Sequence, residues 1–250
     1  AAKWLGNTIE KTRKKCGLYP RWPWHQAAEG IRVSQGMWLT EPRVNGAGWF
    51  IRKDDGSHKD VTIVLFDRGS AEMEERRRWM FDREESGSGL LVIDVRGMGG
   101  LFPRPLNPRP VEENYGTVFK LVSDLVSIGD DLASMRIWDV LRAVDLARTD
   151  PMIDIGKRPL KIFGAGLGGF YAYLAAAVEP AISSCEIEDT LFSIDSLMRS
   201  RYYQDDRLNQ LMVFGMAANF DMAALKPLFK NRELVITRPR DAAGRVIEGM

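Results

Sequence analysis

Apolar and polar positions follow two alternating periods along this 250-residue chain. Short continuous apolar runs at Val61–Phe66, Gly89–Val95, Leu160–Phe163, Ile182–Ile187 and Leu234–Thr237 predict buried strands. Ile31–Leu39 and Gly48–Arg52 read as two further strands, and Asp54-Asp55-Gly56-Ser57 is a turn signal. Helical patterns fall between the runs. Glu72–Glu85 is charged and expected at the surface. Leu132–Arg148 carries Ile137, Val140, Leu141 and Val144 on one face. Gly168–Val178 is a helix of small residues. Strands alternating with helices predict an α/β architecture, a mostly parallel sheet with helices on both faces. Pro103, Pro105, Pro108 and Pro110 mark a loop after the Gly89–Val95 strand. Residues 1–30, basic and aromatic with Trp4, Trp22, Trp24 and the run Lys11 to Lys15, predict an arm packed on a domain of residues 31–250.

Composition narrows the function classes. The formal net charge is +1, so no strong field favours nucleic acid or an acidic membrane surface. The Lys11–Lys15 run is short and sits in no recognised nucleic-acid module. No apolar run approaches the roughly 18–20 residues that span a bilayer, and no secretion signal is expected. The chain begins with Ala1, which suits a processed or trimmed form. Cys16 and Cys185 lie far apart and read as two unpaired thiols. No His, Asp or Glu spacing suggests zinc, and no cofactor is expected.

Chemistry concentrates at one corner. The strand Leu160–Phe163 runs into Gly164-Ala165-Gly166-Leu167-Gly168, which opens into a helix. Strand, sharp turn and helix are the context of the Gly-x-Ser-x-Gly nucleophile elbow. The nucleophile position here holds Gly166, which has no side chain to attack a carbonyl. Two readings of the glycines stand. They let helix amides face a bound oxyanion, or they only permit a tight turn and close packing. The string also resembles a dinucleotide fingerprint, with Glu186 and Glu188 about 20 residues on. That fingerprint normally opens the first βα unit, whereas this turn follows four strands.

The wider chain resembles the α/β-hydrolases. Val92-Ile93-Asp94-Val95-Arg96-Gly97-Met98-Gly99-Gly100 is similar to their Asp-x-Arg-Gly-x-Gly corner. Arg136–Ala147 is similar to the helix before the elbow in acetyl xylan esterase-like and dienelactone hydrolase-like members. Leu234–Arg245 resembles their acid-bearing strand end, and the resemblance covers residues 61–247. It implies a serine esterase type acting on acetyl or other carboxyl esters of carbohydrates. Gly166 then matches the nucleophile position and Asp241 the triad acid. The Leu167 N–H and the Arg68–Gly69 turn match the oxyanion donors. The alternative for Asp241 is a turn or helix-cap residue.

The departures from that family change the expected activity. The triad histidine should follow the acid, yet the chain's two histidines, His25 and His58, both precede the elbow. The chain stops nine residues after Asp241, so the family's last strand and helix are expected to lie outside it. Cys185 falls in a buried strand, where a thiol is packing. Glu186, Glu188 and Asp189 read as a solvated cluster or a carboxylate pair at a sugar site. Trp22, Trp24 and Trp38 read as packing or a carbohydrate platform. Three functions remain: a disabled esterase with a small ester or acylated carbohydrate as ligand, a non-catalytic binding domain, and a nucleotide-binding module. Little or no serine-type hydrolysis is expected.

Overall fold

The computed structural model describes residues 1–11, 13–104, 109–204 and 206–248. Pro105 and Pro108 of the expected loop lie outside the described residues. The described residues build an eight-stranded sheet in the order β1-β2-β3-β5-β4-β6-β7-β8. The strands are β1 (Arg21–Ala28), β2 (Ile31–Glu41), β3 (Val44–Lys53), β4 (Asp60–Leu65), β5 (Ser88–Asp94), β6 (Leu160–Ala165), β7 (Ile182–Glu188) and β8 (Glu233–Thr237). From β5 through β4, β6 and β7 to β8 every pairing is parallel. β1, β2 and β3 form an antiparallel extension joined to β5.

The helices are α1 (Ala2–Glu10), α2 (Arg77–Glu85), α3 (Thr117–Ser127), α4 (Leu132–Thr149), α5 (Gly166–Val178) and α6 (Ile194–Arg199). Successive strand residues point to opposite faces. Val61, Ile63 and Leu65 of β4 therefore pack with α1, α4 and α5, while Val64 packs with Met80 of α2 on the other face. Helices cover both sides of the parallel strands, as the sequence pattern requires.

Residues 1–30 supply α1, whose Leu5 and Ile9 are fully buried in the main core, and β1, hydrogen-bonded along β2. β1 escapes the sequence pattern because it is an edge strand with almost every residue exposed. The charged helix expected over Glu72–Glu85 is shorter than its pattern. Residues Gly69–Glu72 form a 3-10 turn and α2 begins only at Arg77. Asp94 at the end of β5 anchors the start of the 3-10 turn. Its carboxylate accepts the Ser70 N–H and Oγ–H, both at 2.6 Å, and the Gly100 N–H at 2.9 Å. These bonds tie the chain after β4 to the neighbouring strand end. Burial pushes the Asp94 carboxyl above its ordinary range, against the lowering by Ser70 and Gly100.

Two resemblance motifs meet in the core. Arg96, in the corner after β5, is clamped by Asp139 of α4. Nε donates to Oδ2 at 2.8 Å, Nη2 to Oδ1 at 2.6 Å, and the Arg96 backbone N–H to Oδ2 at 2.9 Å. Glu41 accepts a further bond from Nη2 at 2.8 Å. Arg136, one turn earlier on α4, is fully buried. It donates to the Arg96 carbonyl at 2.9 Å, Tyr171 Oη at 2.8 Å and Gln210 Oε1 at 2.6 Å. The cationic positions that give α4 a mixed sequence thus fix the loops around the site.

Candidate functional site

The carboxyl ends of parallel strands carry the loops where ligands bind in open α/β sheets. Here that edge gathers Asp67 and Arg68 after β4, Gly166 and Leu167 after β6, Asp189 after β7, and Arg240 and Asp241 after β8. β6 passes into α5 with no intervening loop, and Gly166 is the first helical residue with φ +54. That left-handed conformation is strained for a residue with a Cβ. The turn also needs room. A Cβ on Gly164 would lie 2.5 Å from the Cα of Gly169, so these two glycines let α5 press against β6. The tight turn and close packing of the second sequence reading are seen here.

A carboxylate fills the corner. Asp67 Oδ1 accepts the Leu167 N–H at 2.8 Å, and Asp67 Oδ2 accepts a bond from Arg207 Nη2 at 2.7 Å. A Cβ built on Gly166 would meet Asp67 Oδ1 at 2.1 Å and its Cβ at 2.7 Å. Asp67 therefore occupies the space a side chain at position 166 would need. It also holds the amide matched to an oxyanion donor. The other matched donors are engaged too. The Arg68 N–H donates to Glu72 Oε1 at 2.9 Å, and the Gly69 N–H to the Phe66 carbonyl at 3.1 Å. In this structure, none of the three amides points at an open oxyanion position.

Gly166, Leu167 and Asp241 come together around a cavity of about 90 Å3, with Asp67, Asp189, Gln204 and Arg240 in its walls. Asp241 folds back on its own loop. Its Oδ1 accepts the Ala243 and Arg245 N–H groups at 2.9 Å each, and its Oδ2 accepts Arg245 Nε at 2.8 Å. Burial works against its charge, but the Arg245 bonds outweigh it and hold the carboxyl below its ordinary range. That geometry is that of a turn residue, and Asp241 also lines the cavity beside Gly166.

No imidazole reaches the cavity among the described residues. His25 lies in the edge strand β1 with Nδ1 3.0 Å from Ser34 Oγ. His58 precedes β4, at the amino end of the parallel strands and opposite the elbow. It packs edge-on against Phe50, and burial lowers its pKa. Cys185 is buried in β7 and burial pushes its thiol up, as an inert packing residue requires. Trp22, Trp24 and Trp38 do not form one platform. Trp24 packs on Trp49, Trp22 donates its N–H to Asp150, and Trp38 lies in the core.

Beside the elbow lies a larger polar cleft of about 760 Å3. It shares Asp67, Gly166, Asp189 and Arg240 with the small cavity and adds Arg68, Glu72, Glu75, Arg76 and Arg207. The charges are paired across it. Arg68 binds Glu75 through both carboxylate oxygens, at 2.8 and 2.7 Å. Glu186 and Glu188, the acids about 20 residues past the Gly-rich turn, are held by Arg83 and Arg76. With the α5 amide also occupied, a dinucleotide phosphate and ribose find neither of their usual partners free.

Asp189 accepts bonds from Arg238 and Arg240, both as short as 2.5 Å. The Arg238 bond is the largest influence, and with Arg240 it outweighs burial to lower the Asp189 pKa. A lowered folded-state value stabilises the protein above the ordinary aspartate value of about 4. That stabilisation is lost as pH falls through the lowered value. Asp189→Asn is expected to flatten this part of the acid dependence. Thermal midpoints measured from about pH 5 downward in both proteins check it, and parallel curves would contradict the assignment.

Asp67 and Arg207 carry no sequence motif. The available signal was a side-chain-free elbow together with an Asp two residues past the end of the neighbouring strand β4.

The order of strands, the turn at Gly166 and the helices on both faces define the α/β-hydrolase fold. No family model matches the sequence. A curated relative, an alpha/beta hydrolase named xenA from Xenoacremonium sinensis, is 22% identical over 144 residues, 58% of this chain and 30% of the relative. The chain thus matches less than a third of that protein's length. Among solved structures, a candidate acetyl xylan esterase from Bacteroides fragilis superposes with TM-score 0.72. It is 11% identical, over 95% of this chain and 67% of that one. Acetyl xylan esterase 1 from Thermoanaerobacterium sp. gives TM-score 0.57 at 12% identity, over 94% and 76% of the two chains. A glucuronoyl esterase from Solibacter usitatus gives TM-score 0.57 at 12% identity, over 93% and 73%. At these identities the likeness concerns the fold.

Proposed function

We propose that this chain is a carbohydrate-esterase-like scaffold that binds a polar ligand at the elbow and does not catalyse serine-type ester hydrolysis. The observation that carries this reading is the Asp67 carboxylate. It takes the Leu167 N–H and fills the side-chain space at Gly166. Acyl transfer by this route needs a nucleophile, a base in contact with it and a donor pair for the oxyanion. The elbow supplies no nucleophile, the described residues bring no imidazole to it, and the matched amides are engaged internally.

The cleft beside the elbow supports the binding role. Its arginines and carboxylates neutralise one another, so it favours a neutral ligand rich in hydroxyls and carbonyls. An acylated carbohydrate has that chemistry, and the acetyl xylan and glucuronoyl esterases that share the fold are consistent with it. The expected result is no turnover of 4-nitrophenyl acetate above buffer and no covalent labelling by a fluorophosphonate probe. A labelled residue anywhere at the elbow would overturn the non-catalytic reading. Titration with acetylated xylo-oligosaccharides, read by intrinsic fluorescence, tests binding, and an absence of saturation would remove that role.

A further inference from the structure

A third cavity, of about 650 Å3, lies between α3, α6 and the 3-10 segments at 206–211 and 216–218, and shares Leu208 and Leu211 with the wall of the small elbow cavity. Its walls include Phe119 and Val126 of α3, Ile194 and Leu197 of α6, and Leu211 and Met216. None of Asp67, Gly166, Leu167 or Asp241 lines it. Its size falls in the range of about 300–1,000 Å3 typical of small-molecule sites, and like them it is lined mainly by apolar side chains.

The polar groups in the wall define what fits. Asp131 is the carboxylate there, and it is spent on backbone. Oδ1 accepts the Ser134 N–H at 2.6 Å and Oδ2 the Phe214 N–H at 2.9 Å. An anion would enter without a counter-charge, which burial penalises heavily, and a cation would find both Asp131 oxygens already committed to backbone N–H groups. Asn209 Oδ1 is shut off from water and accepts no hydrogen bond. A turn of that amide presents the oxygen to the cavity, where one ligand N–H or O–H would satisfy it. Met198, Tyr203 and Phe214 line the same cavity and stay more than half exposed. Contiguous apolar surface left in water marks an interaction site. A cavity of this volume with a buried acceptor in its wall suits a small molecule.

We propose that this cavity is a binding site for a neutral, apolar small molecule bearing one hydrogen-bond donor. N-phenyl-1-naphthylamine has that chemistry, with two aromatic units and a single N–H, and its fluorescence rises in apolar surroundings. Titrated into the full chain, it is expected to bind saturably with one site per chain. Ala217 and Met212 are exposed lining residues, so substitutions there spare the core. Ala217→Trp fills the space and Met212→Asp adds an unpaired charge; each is expected to weaken binding at least tenfold with the thermal midpoint held. Asn209→Ala is expected to weaken it several-fold, while Phe81→Ser, on the exposed face of α2, leaves it unchanged. Non-saturable binding, or equal affinity in the Ala217→Trp and Met212→Asp proteins, would overturn the site. Unchanged affinity in Asn209→Ala would overturn the hydrogen-bond assignment.

Discussion

Gly166→Ser is expected to destabilise the protein by about 3 kcal/mol and to create no esterase. Two costs combine. A side chain at φ +54 carries left-handed strain of about 1–2 kcal/mol. The new Cβ, 2.1 Å from Asp67 Oδ1, must displace the carboxylate, an overpacking cost of about 1–3 kcal/mol. For a chain of this size the thermal midpoint should fall by about 6–12 °C. Pairing the change with Asp67→Gly removes the clash, so the double variant should be more stable than the sum of the two single losses. Neither variant should turn over 4-nitrophenyl acetate, because a serine hydroxyl without an imidazole stays neutral and weakly nucleophilic. Thermal unfolding and initial rates on all three variants check this. Vigorous turnover in either serine variant would mean that a base reaches the elbow from elsewhere in the chain.

Asp139→Ala is expected to cost about 3–5 kcal/mol, the usual loss when one partner of a buried pair is removed. The Asp139 side chain is 1% exposed and receives three hydrogen bonds from Arg96. Burial opposes the Arg96 charge, and the bonds to Asp139 and Glu41 outweigh it and raise its pKa. Without Asp139, Glu41 alone faces a largely desolvated guanidinium. The thermal midpoint should fall by about 10 °C or more. Asp139→Asn keeps the shape and should lose less. A shift under about 2 °C in Asp139→Ala would show that the clamp contributes little.

β4, β5, β6 and β8 were legible because each centres on an apolar run bounded by turn residues, whereas β7, Ile-Ser-Ser-Cys-Glu-Ile-Glu, buries only its apolar positions, Ile182, Cys185 and Ile187. β4 reads Asp-Val-Thr-Ile-Val-Leu and is buried throughout. α4 was legible from Ile137, Val140 and Val144, which are all buried. The elbow was legible because close packing and a sharp turn both demand glycine, and glycine density is a local signal. β1 was not, since an exposed edge strand has no apolar period. The start of α2 was not, since the chain after β4 first forms a 3-10 turn tied at Ser70 to Asp94 on another strand.

Asp67 marks the boundary between the two kinds of information. The sequence by itself determined that position 166 carries no nucleophile and that both histidines present, His25 and His58, precede the elbow. Those facts depend only on which residues are present. It determined the α/β layering as well, because burial imposes periods of 2 and 3.6 on the chain. Only the tertiary structure decided what fills the empty elbow. Asp67 and Leu167 are 100 residues apart, and Arg207 is 140 beyond Asp67. Their meeting follows from β4 and β6 lying side by side in the sheet, a long-range pairing that no local pattern encodes.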